Sequence, residues 1–499
     1  MLLLEAGGAD TSPLIHIPAA VGRAMVHPDL DWGIEGEPDP SRQGRREIYR
    51  AGKTLGGSSS INGLFFSRGQ REDFDDWAGL GNSGWSYDDV LPFFRRIETA
   101  EMGEDAWRGR DGPLNVSRLR SIHALSPVFL EAAVACGIPR TEDYNGALQR
   151  GASLAQVSQY RGRRHSAARA YLHPVRGRSN LEVRPRARCH RLLIENGRCV
   201  GVEYEVGGRI ERARATSEVL LAAGALGSPK LLMLSGIGPG AALARLGIPV
   251  HADLPGVGRN LQEHPDVTLS AHVNVDTYNL IARNPLRIAG ALARWAWNGT
   301  GSATSPYCQA VAFLRSDGGS GRPDLEILFA PFSFARAADR TSAHVRPAVN
   351  VIVSLCRPSA RGELSLRSAR PEDPPCISLA LLADEDLPTL VRGCRVARDI
   401  LTSAPFAPYV VEERLPGSAV SSDAEWIRFL RETAFAGNHL VGTCRMGVDD
   451  DAVVTPRLEV RGIAGLRVID ASVMPRLISA HTNAVVFMIA ERACDWILR

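Results

Sequence analysis

Strand–turn–helix patterns near both ends of the chain constrain its fold more than any other feature of the sequence. Residues 2–5 (LLLE) predict a buried parallel strand that ends in an acidic residue. Residues 218–238 predict a strand, a glycine turn and a helix with Pro229 in its first turn. A last strand at 466–470 precedes a final helix over about 482–498. This order predicts a discontinuous nucleotide-binding domain with a second domain inserted into it.

The residues between these ends predict a mixture of sheets and helices. Asn196–Gly197 is a strong hairpin signal, which predicts antiparallel strands across 180–206. Residues 50–69 are rich in glycine and serine and predict a loop that leads into a short apolar element. Further expected elements are amphipathic helices around a turn at 79–84 (71–98), strands of a second sheet (324–329 and 349–355) and helices (384–401 and 422–434).

Composition sets broad limits on the kind of protein. The chain has 499 residues, of which 44% are hydrophobic, so it can bury a large core and is expected to form more than one domain. Its formal charge of +3 predicts no strongly charged partner. Acidic residues balance the arginines along most of the chain, and no nucleic-acid motif accompanies the arginine clusters. We therefore expect no nucleic-acid partner.

Cysteine usage and the apolar segments indicate the compartment. The nine cysteines show no CxxC or metal-type spacing, which predicts reduced thiols and no metal site. The N-terminus has no basic leader, and Glu5 interrupts its apolar run too early for a signal peptide. No apolar stretch reaches the ~20 residues that span a bilayer. We expect no transmembrane segment and a cytoplasmic protein, or one that is peripheral to the inner membrane.

Two histidines near the C-terminus are the candidate catalytic residues. His439 begins the segment HLVGTCRMG, and His481 follows 42 residues later, at the start of the last predicted helix. Two imidazoles beside a cofactor suit proton abstraction from an alcohol, because histidine is the usual base near neutral pH. Taken singly, each is more simply explained as a surface or core histidine, so the surrounding motifs carry the assignment.

Five long motifs carry a resemblance to a known family. They are LLLEAGG (2–8), AGKTLGGSSSING (51–63), GALGSPKLLMLSGIGP (224–239), LPGVGRNLQEHP (254–265) and the two histidine segments. In this order they resemble the glucose–methanol–choline (GMC) oxidoreductase family, in the branch that contains choline dehydrogenases and related alcohol dehydrogenases. The resemblance extends over nearly the whole chain.

The resemblance implies an α/β fold with two domains and FAD as the cofactor. The FAD-binding, Rossmann-like domain would comprise residues 1–90, 180–268 and 455–499. A substrate domain of α+β type, with an antiparallel sheet covered by helices, would comprise residues 91–179 and 269–454. Relatives that attach FAD covalently use a histidine where this chain has Ile61, so we expect non-covalent FAD.

The resemblance also assigns residues to parts of FAD. Glu5 would bind the ribose hydroxyls, as an acid at the end of such a strand does in dinucleotide folds. Asp470 and Ala471 would face the ribityl chain, and the backbone of Cys189 would contact adenine. The remaining assignments are to the flavin ring: Thr54, Asn62, Gly63, Leu64 and Phe65 would line it, and the helix start at Asn483 and Ala484 would face its pyrimidine side.

The expected activity is FAD-dependent oxidation of a primary alcohol to an aldehyde (an EC 1.1 dehydrogenase or oxidase). His439 would be the main proton acceptor and His481 its partner on the alkoxide oxygen, although the two roles could be exchanged, and hydride would pass to flavin N5. The partners would be a small alcohol and an electron acceptor, which is a quinone, a dye-like acceptor or oxygen. If the substrate were choline, Trp295, Trp297, Tyr307 and Phe332 would be candidates for its ammonium group, with core packing as the simpler role for each.

One departure from the family pattern lies at the start of the sequence. The GxGxxG turn that should precede the acidic residue by ~20 positions does not occur before Glu5. We therefore expect an N-terminally truncated FAD domain, without its first βα unit, that binds FAD poorly. This departure makes a non-catalytic remnant one alternative to an oxidoreductase. The other alternative is a flavin-containing lyase of the hydroxynitrile-lyase type, because the resemblance implies that such lyases share the fold and the pair of histidines. Smaller departures are Glu263, where relatives more often have aspartate, and Leu440, where they usually have proline.

Overall fold

A computed structural model of the protein describes residues 1–334 and 342–498. The longer helices are α1 (Arg71–Gly79), α2 (Tyr87–Ile97), α3 (Leu125–Ala135), α4 (Gly224–Leu234), α5 (Pro285–Asn298), α6 (Leu387–Thr402), α7 (Asp423–Thr433) and α8 (Asn483–Ile497). The main strands are β1 (Leu2–Glu5), β2 (Gly151–Leu154), β3 (Glu182–Pro185), β4 (Ala187–Glu195), β5 (Arg198–Val206), β6 (Arg209–Arg214), β7 (Val219–Leu221), β8 (Pro265–Val273), β9 (Ala310–Leu314), β10 (Leu325–Ala330), β11 (Ala348–Leu355), β12 (Val410–Leu415), β13 (Phe435–Ala436) and β14 (Leu466–Val468).

Parallel pairing joins segments that are far apart in the sequence. β1 pairs in parallel with β3, and β7 pairs in parallel with β14. The prediction of antiparallel strands throughout 180–206 is wrong for residues 182–185, because β1 recruits this segment as its parallel neighbour. The rest of that prediction is confirmed: β4 and β5 form an antiparallel hairpin. Asn196 and Gly197 both have positive φ, 50° and 73°, as a type I′ turn requires.

Helix α4 begins earlier than the sequence suggested. Pro229 was expected in the first turn, but it is the sixth residue of α4. A proline inside a helix cannot donate a hydrogen bond to the carbonyl four residues earlier, here that of Ala225. The hydroxyl of Thr443 donates to this carbonyl oxygen at 2.6 Å. A residue 218 positions away in sequence therefore satisfies the acceptor that the proline leaves open.

The largest sheet is antiparallel and confirms the predicted second-domain architecture. Its strand order is β12-β8-β11-β10-β9-β2, with β13 as an additional partner of β8. Helices α3, α6 and α7 pack on one face, where alternate residues of β10 (Leu325, Ile327 and Phe329) join their core. The residues between these have the opposite orientation. Glu326 and Leu328 therefore point to the face where Leu64 and Phe65 pack.

A second core joins both ends of the chain. It contains buried residues from α1 and α2, from β7 and α4, and from β14 and α8. Strands β1, β7 and β14, which the sequence predicted, are all present. The four predicted domain limits stay a prediction. Among the described residues, no helix is long and apolar enough to cross a membrane.

Candidate active site

Three histidines, rather than two, form the centre of the candidate site. The rings of His439 and His481 lie 4.6 Å apart, centroid to centroid. The ring of His264 lies 5.1 Å from that of His439. His439 and His481 were predicted, whereas His264 was missed. The signal was in the sequence, because His264 belongs to the LQEHP motif that immediately precedes β8.

A buried carboxylate holds the backbone around two of these histidines. Glu263 accepts hydrogen bonds from the backbone N–H of His439, at 2.7 and 3.0 Å, and from that of His264 at 2.8 Å. Glu263 is 1% exposed, and burial raises the pKa of its carboxyl well above the usual value, although the two N–H groups oppose this. The glutamate at position 263, where relatives more often have aspartate, therefore holds the backbone of the candidate site.

Hydrogen bonds around His264 fix the tautomer of His439. Nε2 of His264 lies 3.1 Å from the carbonyl oxygen of Cys356 and 3.0 Å from that of Ile478, so it must carry a proton. Burial lowers the pKa of His264 to about 4, which keeps the ring neutral and leaves Nδ1 as an acceptor. Nδ1 of His439, 3.0 Å away, therefore donates to it. In a neutral His439, the lone pair is consequently on Nε2.

The electrostatic surroundings of His439 and His481 differ. Burial, and then the neighbouring His481 and His264, lower the pKa of His439 well below the usual value. Burial also lowers the pKa of His481, but the carboxylates of Glu326 and Asp266 more than offset this, and the net shift is upward. Glu326 is 3% exposed, and its Oε1 lies 3.3 Å from Nε2 of His481. The site thus pairs a neutral imidazole with one that favours the cation.

The loop predicted to line the flavin reaches the histidine cluster. The ring of Phe65 lies 4.7 Å from that of His481, centroid to centroid. The side-chain oxygen of Asn62 accepts from the backbone N–H of Leu64 (3.1 Å) and from the buried guanidinium of Arg164 (2.6 Å). The loop is therefore fixed by hydrogen bonds within the protein.

The structure offers room for FAD beside the predicted residues. A methyl group added at Gly8, Gly57, Gly63 or Gly224 would meet no atom within 4 Å, so the backbone borders open space at these glycines. The side chain of Thr482 makes no cap hydrogen bond to the first turn of α8, which begins at Asn483 and Ala484. Such a helix start attracts negative charge.

The region around Glu5 is also chemically suited to the adenosine part of FAD. Glu5 ends β1, and burial raises the pKa of its carboxyl to about 7, although the N–H of Gly7 opposes this. A cavity of about 250 Å³ lies beside Ala6 and is lined by Trp32, Lys53 and Arg188. Lys53 and Arg188 both lie over the indole of Trp32, at 5.1 and 5.6 Å from the ring centroid, and their charges complement phosphate groups.

Several predicted cofactor residues already have protein partners. The hydroxyl of Thr54 donates to the carbonyl of Gly8 at 3.1 Å. The carboxylate of Asp470 accepts from the backbone N–H groups of Gly224 (2.9 Å) and Ser472 (2.8 Å), and so joins the turn after β7 to the turn after β14. Ala471 begins the short helical turn Ala471–Val473. The predicted adenine-binding residue, Cys189, lies within β4.

The four candidates for an ammonium site fall into two groups. Trp295 and Trp297 lie on α5, where Trp297 is 89% exposed. Tyr307 accepts a hydrogen bond from the side-chain amide of Asn350 at 2.8 Å, and its ring lies 6.0 Å from that of Phe332.

Family models match most of the chain. The N-terminal model of the GMC oxidoreductases matches residues 2–266, and the C-terminal model matches residues 358–490. An oxygen-dependent choline dehydrogenase from Sinorhizobium medicae (strain WSM419) is 42% identical, with coverage of 100% of this chain and 91% of the relative. Another, from Rhizobium johnstonii, is 41% identical with the same coverage. The predicted absence of a GxGxxG unit stays a prediction.

The chain also resembles solved structures of flavin-dependent oxidases. A pyridoxine 4-oxidase from Mesorbium loti superposes with a TM-score of 0.90 at 29% identity, covering 100% of this chain and 94% of that one. A formate oxidase of Aspergillus oryzae RIB40, studied for the modification of its FAD, superposes with a TM-score of 0.92 at 27% identity, with 99% and 93% covered. These findings support FAD as the cofactor and alcohol oxidation as the general activity. The chain belongs to the GMC oxidoreductase family.

Proposed function

We propose that the protein oxidises a primary alcohol to the corresponding aldehyde, with His439 as the proton acceptor and His481 as its partner. One observation carries the proposal: the contact between Nδ1 of His264 and Nδ1 of His439 leaves the lone pair of His439 on Nε2. Its second ring nitrogen is thus free to take a proton from a hydroxyl group. The identity of the relatives, choline dehydrogenases at about 41% to 42%, supports an alcohol as the substrate.

The two histidines would have different roles toward the hydroxyl group of the substrate. His439, with its lowered pKa, stays neutral at neutral pH and is ready to receive the proton at Nε2. His481, whose pKa is raised by Glu326 and Asp266, favours the cation and would donate a hydrogen bond to the alkoxide oxygen. FAD, when bound, supplies the acceptor for the hydride that leaves the carbinol carbon.

FAD would be held without a covalent bond. Glu5 would accept from its ribose, Asn483 and Ala484 would present the start of α8, and residues 62–65 would lie along its ring. Ile61 is 2% exposed and packs with Ile15, Ala24 and Leu30, so this position offers no nucleophile. Acid precipitation should therefore leave the flavin in the supernatant, and flavin in the pellet would contradict the proposal.

Anaerobic mixing with a panel of primary alcohols, including choline, tests the activity. A substrate should bleach the visible flavin band under nitrogen, whereas a lyase substrate would leave it unchanged. A protein that is purified without flavin would instead support the non-catalytic alternative. Re-oxidation of the bleached enzyme by oxygen, or only by a quinone or dye, then identifies the acceptor.

His439→Ala should lower the rate of bleaching roughly 10²- to 10⁴-fold, the usual contribution of a general base. Bound flavin should remain, since the side chain of His439 makes its hydrogen bond to His264. The exposed His251 provides the matched control, and His251→Ala should bleach at the wild-type rate. A near-normal rate in His439→Ala would exclude it as the base.

A further inference from the structure

Helix α5 is well formed but almost unpartnered. None of its 14 residues is buried. Its ends are nevertheless specific: the side chain of Asn284 caps the N-terminus by accepting from Leu286 and Arg287, and Gly299 ends the helix with a positive φ of 66°. Trp295 anchors it, because its indole N–H donates to the carbonyl of Gly162 at 2.8 Å. Helix α5 is therefore a well-defined helix, although most of its surface is exposed.

The outward face of α5 is apolar. At 100° per residue, Leu286, Ala289, Gly290, Ala293, Ala296 and Trp297 fall on one side of the helix. Ile288, Ala291 and Trp295 fall on the other side, where the residues are partly covered. Leu286 is 83% exposed and Trp297 is 89% exposed. A tryptophan this exposed is unusual in a soluble protein, and a continuous apolar stripe indicates an interaction surface.

Four arginines, only one of which has an acidic partner among the described residues, border this stripe. Arg287 and Arg294 project from one flank of α5. Arg161 and Arg163 lie in a short hairpin, residues 159–164, that contacts the C-terminal end of α5. Residues 144–181 and 277–316 contain no aspartate or glutamate, although the whole chain has 55 acidic residues. Asp276 is the acidic partner of Arg287, at 3.1 Å. Within the described residues, no carboxylate forms an ion pair with Arg161, Arg163 or Arg294.

We propose that this face, α5 with Arg161 and Arg163, binds the surface of an anionic lipid bilayer. Leu286 and Trp297 would enter the interfacial region, and the arginines would contact lipid phosphates. An apolar stripe with flanking arginines and an indole is the pattern of helices that lie in the plane of a membrane. At 14 residues, α5 is about 21 Å long, too short to span the ~30 Å hydrocarbon core. The proposal does not depend on the proposed reaction.

Lipid is favoured over two other occupants by the same observations. A nucleic acid would use the arginines but would leave the aliphatic stripe in water. A second copy of this chain would bring its own arginines to the same face in a symmetric contact, which repels. A bilayer of anionic lipid accommodates both the stripe and the cations.

Co-sedimentation with lipid vesicles tests the proposal on the FAD-loaded protein. The vesicles are phosphatidylcholine with about one third phosphatidylglycerol, or phosphatidylcholine alone. The wild type should sediment with the anionic vesicles and at least ten-fold less with the neutral ones. Binding to the anionic vesicles should fall as salt is raised, because the arginine–phosphate attraction is screened. The double variant Leu286→Ser/Trp297→Ser should lose at least ten-fold in partition coefficient.

The controls distinguish loss of the membrane-binding surface from damage to the whole protein. Ile210 is a large apolar residue on β6 that is 56% exposed, so Ile210→Ser should leave vesicle binding unchanged. The double variant should keep its flavin spectrum and melting temperature. Equal sedimentation of the wild type and the double variant would overturn the proposal. The proposal would also be overturned if neither protein bound vesicles and light scattering showed a dimer for the wild type that the double variant abolishes. Binding of the wild type to nucleic acid, but not to vesicles, would overturn it as well.

Discussion

At the scale of single residues, the candidate site depends on neighbours that have no part in the expected chemistry. His264 is buried and was not a predicted site residue, yet its Nδ1 decides which nitrogen of His439 carries the proton. Glu326 similarly acts through His481, from 3.3 Å away. Both are positioning residues, because each acts through a histidine.

His264→Ala should reduce kcat by roughly 10- to 100-fold with FAD still bound. Without the acceptor at Nδ1, His439 is free to adopt the tautomer that places its proton on Nε2, where it cannot receive another. Stopped-flow bleaching of the flavin measures the change. His272 lies on the same strand, β8, and faces Glu412, so His272→Ala is the matched control. A His264→Ala rate within two-fold of wild type would contradict the tautomer argument.

Glu326→Gln should shift the alkaline limb of the kcat/KM profile to lower pH. Glu326 and Asp266 raise the pKa of His481, while burial lowers it, and the pKa of neighbouring His439 is already depressed. Removal of the Glu326 charge lowers the pKa of His481, so its cation is lost at a lower pH. If that cation holds the alkoxide, activity is lost with it.

The exposed Glu412 provides the control for this charge change. Glu412→Gln should leave the pH profile unchanged, since Glu412 pairs with Arg346 at 2.7 Å on the surface. An unshifted alkaline limb in Glu326→Gln would show that the charge of His481 does not matter for turnover.

At the scale of elements, long-range contacts decide where helices begin. The sequence of α4 predicted a start near Pro229, and the structure starts the helix five residues earlier. Local propensity favours the later start, because proline is tolerated in the first turn and costs ~3 kcal/mol in the interior. The hydroxyl of Thr443 stabilises the longer helix by satisfying the carbonyl of Ala225.

Thr443→Val should lower the free energy of unfolding by about 1–3 kcal/mol, because it leaves a buried carbonyl without a donor at nearly constant shape. Differential scanning calorimetry of the apo- and holoprotein measures the effect as a lower melting temperature. Thr402 makes a similar bond to the carbonyl of Arg398, at 3.0 Å, but on the exposed end of α6. Thr402→Val should change stability by less than about 0.5 kcal/mol.

At the scale of the whole molecule, a buried charge network connects the large antiparallel sheet to the loop at residues 62–65. Glu98 follows α2 and accepts from Arg68 and from Arg108, whose Nε is 2.8 Å away. Arg108 also donates to Asp143 at 2.8 Å and to Gln156 at 2.9 Å, two residues after the end of β2. Arg68 lies three residues after Phe65. The network therefore ties the loop that contacts His481 to the edge of the large sheet.

Glu98→Gln should destabilise the protein by about 3–5 kcal/mol, because it leaves two buried guanidinium groups with one carboxylate. Urea unfolding followed by tryptophan fluorescence measures the loss, and flavin release should accompany it. Glu195, which pairs with Arg214 on the surface, provides the contrast. Glu195→Gln should change stability by less than about 1 kcal/mol. Equal effects of the two variants would show that the network is not a stabilising link.

The sequence alone identified the class of protein and much of its secondary structure. The strand at 2–5, the hairpin at Asn196–Gly197 and the last helix depend on local signals, namely apolar periodicity and turn residues, which require no knowledge of distant neighbours. The FAD cofactor and the GMC family followed from long motifs in a fixed order, and the comparisons support both. His439 and His481 were singled out in the same way.

Only the tertiary structure determined which strands pair and which side chains contact the two expected histidines. The parallel pairing of β1 with β3, the early start of α4 and the approach of His264 and Glu326 to the two expected histidines join residues up to 218 positions apart. Such contacts depend on burial and packing of the completed sheets, which no local pattern specifies. The same burial shifts the pKa values of His439 and His481 in opposite directions, because only one of them meets a carboxylate. The sequence thus determined which residues are available, and the fold determined their protonation.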